Sequence, residues 1–240
     1  MKNLLFLFLG ALLSGCGATL AIKSGDGRGE TNVPLHVYEA GSRPAPTIIL
    51  SPGCAGVTSV AMDKARELRN WGYNVVLVDS HGGRGYRSVC DNTTVIFDAE
   101  RASDVVAAAQ WAVKQAWHGG KVGMFGYSAG GGAGNHLSER EPGPIAAVVS
   151  YYPTCQVHEF DPKIPVQIHI GTADDWTPAR KCQIPSYEAK RDIRYYEGAH
   201  HSFDVPAPRR TLAGHVLAYD AGAAAAAAAA SKAFFDRHLR

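Results

Sequence analysis

The chain carries no excess of charge of either sign. Its 24 Lys and Arg residues face 22 Asp and Glu across 240 positions, a formal net charge of +2. With no basic stripe along it, a nucleic-acid partner is not expected. Its ten histidines and five cysteines nowhere take the spacing of a zinc site, so no metal is expected. There is no internal repeat and no sign of a second domain. The apolar run near the start is too short to cross a membrane as a helix. The remainder has the length of one ordinary domain with a substantial core.

Strand-like and helix-like segments alternate, the pattern of an α/β fold with a mostly parallel central sheet flanked by helices. Strands are expected near Leu35–Glu39, Thr47–Leu50, Val75–Val78, Val122–Phe125, Ala146–Tyr151, Val166–Ile170 and Ile193–Tyr196. Thr58 to Trp71 starts on a good capping residue and stops at Gly72, which predicts a helix. Asp98 to Trp117 carries an apolar stripe through Ala102, Val105, Val106, Ala109, Val113 and Ala116, and is expected to run helical up to Gly119-Gly120. Trp111 and Trp117 read as packing residues there. The alanine run Ala223–Ala230, anchored by Phe234, Phe235 and Leu239, predicts a packed C-terminal helix over 221–239.

Three short segments carry the chemistry. Gly126-Tyr127-Ser128-Ala129-Gly130 is a G-x-S-x-G sequence between a buried strand and a helix that can open at Ala129. A serine hydroxyl is a poor nucleophile at neutral pH and needs a base and a group to orient that base. The segment after the Val166 strand, Gly171-Thr172-Ala173-Asp174-Asp175-Trp176-Thr177-Pro178, offers two acids. Ala199-His200-His201-Ser202-Phe203 offers two histidines, whose ordinary pKa suits proton transfer near neutrality. The helix opening at Ala129 points its free N–H groups toward Ser128, so Ala129 N–H is one expected oxyanion donor. The loop Ser51-Pro52-Gly53-Cys54-Ala55-Gly56 supplies the second, at Cys54 N–H.

The order Ser, acid, His resembles that of the α/β-hydrolases. More narrowly, Gly126 to Gly131, Gly171 to Pro178 and Gly198 to Phe203 together resemble the dienelactone hydrolase family, over roughly residues 30 to 240. That resemblance implies an α/β-hydrolase fold. It selects Asp174, four residues before the proline, as the acid, and His201, directly before Ser-Phe, as the base. Asp175 and His200 become flanking residues. Two departures stand out: the enzyme that names the family uses a cysteine where Ser128 stands, and a glutamate near the position of Gly53. The resemblance therefore supports the fold and triad, not dienelactone as the substrate.

Only about eleven residues separate the strand ending near Pro153 from the next, near Pro165. A cap domain does not fit there, so the pocket is expected to be shallow and walled mainly by the Asp79–Asp98 loop. Within that loop Arg84 is a candidate for binding a substrate carboxylate, with Arg87 beside it and His81 a weaker candidate. Trp176, next to the acid, is a candidate substrate contact. His36, His118, His158 and His169 read as structural.

Lys2 followed by the apolar stretch to Leu13 reads as a signal peptide. Leu13-Ser14-Gly15-Cys16 resembles the lipobox of bacterial lipoproteins. This implies residues 1–15 removed, a lipid on Cys16 as membrane anchor, a linker over 16–30 and one domain over 31–240. Gly17 in place of aspartate implies the outer membrane; an ordinary secreted or periplasmic chain is the alternative. In such a compartment Cys54, Cys90, Cys155 and Cys182, each after an expected strand, suggest two disulfides. Pairing Cys54 with Cys90 and Cys155 with Cys182 joins loops of neighbouring strands.

The activity expected is hydrolysis of small carboxylic esters or lactones through an acyl-enzyme on Ser128, with no cofactor. A catalytically idle envelope binding protein and a peptidase on the same fold are the alternatives.

Overall fold

The computed structural model describes residues 20–25, 29–41, 43–155 and 161–240. The signal peptide, the lipobox with Cys16, and His158 lie outside the described residues.

Eight strands form one sheet: β1 (Ala21–Gly25), β2 (Glu30–Tyr38), β3 (Ala45–Ser51), β4 (Asn74–Val78), β5 (His118–Tyr127), β6 (Ile145–Tyr151), β7 (Val166–Gly171) and β8 (Asp192–Tyr196), in the order β1-β2-β4-β3-β5-β6-β7-β8. β1 and β2 pair antiparallel, as do β2 and β4. From β4 through β3 to β8 every pairing is parallel. β4 and β7 are buried along their whole length, as expected for strands covered on both faces.

Side-chain alternation divides the core. Ile49, Val76, Met124 and Val148 face one layer, made by α2 (Asp98–Ala112) through Val105, Ala108 and Ala109 and by α3 (Ala129–Glu139) through Ala133 and Leu137. Ile48, Leu50, Val75, Phe125 and Val149 face the other, made by α1 (Ser59–Asn70) through Ala61, Ala65 and Leu68 and by α5 (Ala221–Leu239) through Ala227, Phe234 and Phe235. The alanine run is thus a packed helix, capped by the Asp220 side chain accepting from Ala223 N–H.

Two expectations about elements change. α2 stops at Ala112 rather than Trp117. Residues 113–117 turn, because Trp117 O accepts from Ala45 N–H and His118 already pairs with Ala45, so β3 captures chain that local periodicity assigns to a helix. Trp111 and Trp117 pack on each other across that turn, ring centres 5.8 Å apart. The span expected to be linker up to residue 30 contains β1, an edge strand whose Ile22 is buried against α2 and whose backbone pairs with β2.

A short α4 (Pro185–Glu188) follows β7. Past β8, β9 (Arg210–Leu212) and β10 (His215–Leu217) form a hairpin apart from the main sheet. The loops after β3, β5, β6, β7 and β8 converge at the carboxyl edge of the parallel strands, where open α/β sheets hold their ligands.

Candidate active site

Ser128 is the hinge between β5 and α3, with φ 53° and ψ −121°. Its N–H donates to Tyr151 O at 2.9 Å and its carbonyl accepts from Gly132 N–H at 3.0 Å, so β6 and α3 hold this strained backbone from both sides. The flanking glycines are steric necessities. A Cβ at Gly126 would stand 2.3 Å from Gly130 O, and one at Gly130 would stand 2.1 Å from Ser51 O.

His201, in the loop after β8, sets its Nε2 3.1 Å from Ser128 Oγ and its Nδ1 2.8 Å from Asp174 Oδ2, in the loop after β7. His201 and Asp174 are buried. The Asp174 carboxylate also accepts from Trp176 N–H at 2.9 Å, Thr177 N–H at 2.8 Å and the Thr177 hydroxyl at 2.9 Å. Burial alone would raise its pKa, but the His201 contact and the Thr177 bonds outweigh it and hold the group below the usual aspartate value. An ionised carboxylate only accepts, so the imidazole carries its proton on Nδ1 and leaves Nε2 to take the serine proton.

The imidazole is held between rings: Tyr152 at 4.5 Å and Trp176 at 5.0 Å. Behind Tyr152 runs a buried chain. Its hydroxyl donates to Asp204 Oδ1 at 2.8 Å, and Asp204 Oδ2 lies 3.3 Å from Lys64 Nζ. Burial works to lower the Lys64 ammonium, but Asp204 and Glu67 outweigh it and hold it above its ordinary value. Sequence reasoning missed Tyr152, Thr177, Asp204 and Lys64. One signal was available for Lys64, a charge on the same helical stripe as Ala61, Ala65 and Leu68.

Cys54 is bonded to Cys90, and Cys155 to Cys182. The first bridge ties the loop after β3 to the loop after β4, reinforced by Val89 N–H donating to Cys54 O at 2.8 Å. That loop touches the serine: a Cβ on Gly53 would lie 3.2 Å from Ser128 Cβ. Cys54, Ser128 and Ala129 share one cleft wall.

Other expectations need correcting. Arg84 does not reach the site; its Nη1 donates to Asp104 Oδ2 at 2.7 Å and its Nη2 to Oδ1 at 3.2 Å. Asp104 is wholly buried on α2, and a buried carboxylate requires a partner. Arg87 is exposed and lines neither cleft beside Ser128. His81 is buried, 3.4 Å from Arg101 Nη2. His169, by contrast, is structural as expected, satisfied in the core by Tyr196 and Gln167.

Nor is the pocket walled mainly by the Asp79–Asp98 loop. One cleft, of about 100 Å³, is closed by the segment from Ser202 to Leu217, including the β9–β10 hairpin. The expected loop lines a second cleft of about 220 Å³ on the other side of Ser128. Trp176 borders both. Asp175 accepts from Val216 N–H at 3.2 Å and so pins the hairpin, while His200 lies 3.3 Å from Arg209. Among the described residues no three His, Cys, Asp or Glu side chains gather as a metal-ligand set.

The model of the dienelactone hydrolase family matches residues 35–239. The chain is 26% identical over 180 residues to carboxymethylenebutenolidases of Pseudomonas putida and Pseudomonas knackmussii, covering 67% of this chain and 75% of each relative. Its fold is similar to that of a dienelactone hydrolase-like promiscuous phosphotriesterase from metagenomic libraries, with TM-score 0.73 and 21% identity over 93% of this chain and 99% of that one. It is also similar in fold to a Pyrococcus furiosus esterase, with TM-score 0.66 and 16% identity over 93% of both chains.

Proposed function

The chain belongs to the dienelactone hydrolase family and is a hydrolase of the α/β fold; from that premise we propose that it cleaves small carboxylic esters or lactones through an acyl-enzyme on Ser128. The observation that supports this reading best is the continuous hydrogen-bonded line from Ser128 Oγ through both His201 nitrogens to Asp174.

In the reading, Ser128 Oγ attacks the carbonyl carbon as its proton passes to His201 Nε2. Asp174 fixes the tautomer and stabilises the imidazolium. The carbonyl oxygen takes up negative charge against the Cys54 and Ala129 amides, where each donor contributes about 3–4 kcal/mol to the transition state. Collapse expels the alkoxide, which receives the proton from His201. Water, deprotonated by His201, then attacks the acyl-serine and releases the acid. None of these steps needs a cofactor.

Hydrolysis of a panel of short- and long-chain esters, lactones and peptides by the purified protein and by Ser128→Ala tests this. Ester or lactone turnover lost in the variant supports it. Turnover of peptides alone, or turnover unchanged in Ser128→Ala, contradicts it.

We also infer an envelope location with a lipid on Cys16, supported by the apolar leader, the Leu13–Cys16 sequence and the two disulfides. Labelled palmitate should enter the wild-type chain in a bacterial host and fail to enter Cys16→Ser.

A further inference from the structure

Ser128 stands where two clefts meet, the second offering more polar surface than the first. If it is the nucleophile, as proposed above, each cleft receives a different half of the ester. The carbonyl carbon lies against Ser128 Oγ and its oxygen against the Cys54 and Ala129 amides, so the two halves leave the reacting centre in different directions. The leaving oxygen must take its proton from His201 Nε2, so the alcohol half lies on the imidazole's side. His201 lines the first cleft and not the second.

That first cleft is small and mainly apolar, lined by Val60, Val205, Leu212 and Leu217 with Thr58 and Arg210. The second is larger and offers Thr93, Thr94, Thr154, Asp98 and Arg101. Arg101 is 2% exposed, its Nη1 donating to Ile96 O and its Nη2 lying 3.4 Å from His81 Nε2. The Asp98 carboxylate lies 3.8 Å from Arg101 Nη1, too far for a hydrogen bond. An apolar acyl chain here would strip water from the Asp98 carboxylate and the Thr154 hydroxyl without replacing it, whereas hydroxyls donate to Asp98 and exchange hydrogen bonds with Thr154. In the first cleft the argument reverses, because a hydroxylated alcohol would be stripped of water against Leu212 and Leu217.

We propose that the preferred substrates are esters of a small apolar alcohol with a hydroxylated acid, the hydroxyacyl half occupying the cleft of Asp98, Arg101 and Thr154. This rests on the serine-hydrolase reading and names the substrate class for it.

The test uses the purified protein and three esters: butyl butyrate, butyl 3-hydroxybutyrate and 2,3-dihydroxypropyl butyrate. Butyl 3-hydroxybutyrate should exceed 2,3-dihydroxypropyl butyrate in kcat/KM by about tenfold or more, the scale on which unpaired polar groups discriminate substrates. It should also exceed butyl butyrate. In Thr154→Val and in Asp98→Asn the preference for the hydroxylated acid over butyl butyrate should shrink several-fold. Because it is a ratio within one variant, partial misfolding does not mimic the effect. Equal rates on the three esters, or a preference for the hydroxylated alcohol, overturns the inference while Ser128-dependent turnover leaves the hydrolase reading standing. Absence of turnover of all three also overturns it, and fluorophosphonate labelling of Ser128 then decides whether the hydrolase reading falls too.

Discussion

The Tyr152 ring lies 4.5 Å from the His201 imidazole while its hydroxyl donates to Asp204 at 2.8 Å. Tyr152 has φ 36°, a conformation that residues other than glycine rarely adopt. Its N–H donates to His169 O at 2.6 Å. The His201 imidazole therefore rests on a ring held in place by a buried carboxylate and, through it, by Lys64.

Removing that anchor should loosen His201. Tyr152→Phe keeps the ring and deletes the bond to a charged group, typically worth about 1.5–3 kcal/mol. Urea denaturation should show a loss of that order. In the same variant kcat should fall several-fold with KM little changed, because the phenyl ring still lines the cleft while its hold on His201 loosens.

Adjacent acids should separate sharply. Asp174 accepts from His201, Trp176 and Thr177, whereas Asp175 accepts from Val216 N–H at the hairpin. Loss of the orienting acid lowers kcat by about 10⁴ in the serine-protease case, and Asp174→Asn should approach that. Asp175→Asn should cost less than about tenfold. His201→Ala and His200→Ala should divide the same way. Steady-state kinetics on one ester reads all four.

Much of this was legible beforehand because the informative signals are local. The G-x-S-x-G segment is a signal carried by five consecutive residues, and hydrophobic periodicity marks strands buried on both faces. What escaped depends on contacts distant in sequence. Arg84 looked free for a ligand because its partner Asp104 lies on another element. The β9–β10 hairpin turns at Ala213-Gly214, and Ala213 has φ 49°, whereas the usual signal there is Asn or Asp. β1 has five residues, and its ties to the fold, pairing with β2 and the packing of Ile22 on α2, are both made by other elements.

Stability should decline in mild acid. Burial, then the Arg101 charge, brings the His81 pKa from 6.5 down to about 4; burial, then Arg194, brings His169 down to about 3. Between those values and 6.5 the unfolded chain binds protons that the folded chain refuses, so stability falls as pH drops. Asp174, held below its ordinary value, adds a further loss at lower pH. Urea midpoints from pH 7 to pH 4 should decrease, and His81→Gln or His169→Gln should flatten the slope.

The two disulfides should differ in what they protect. Cys54–Cys90 holds the loop beside Ser128, while Cys155–Cys182 links the loops after β6 and β7. Replacing either pair by serine should cost stability of about 2–5 kcal/mol or less. Loss of Cys54–Cys90 should lower kcat beyond what the unfolded fraction explains, because the Cys54 amide is freed to move. Denaturation curves paired with kcat per folded molecule separate the two effects.

The most direct test of the account is the site of covalent capture. A fluorophosphonate forms a stable phosphonyl ester with a serine that is activated by its own base, and peptide mass spectrometry locates the adduct. The adduct should fall on Ser128 in wild type, be absent in Ser128→Ala, and form orders of magnitude more slowly in His201→Ala. Labelling at another serine, or an unlabelled Ser128 in protein that still hydrolyses esters, would contradict it.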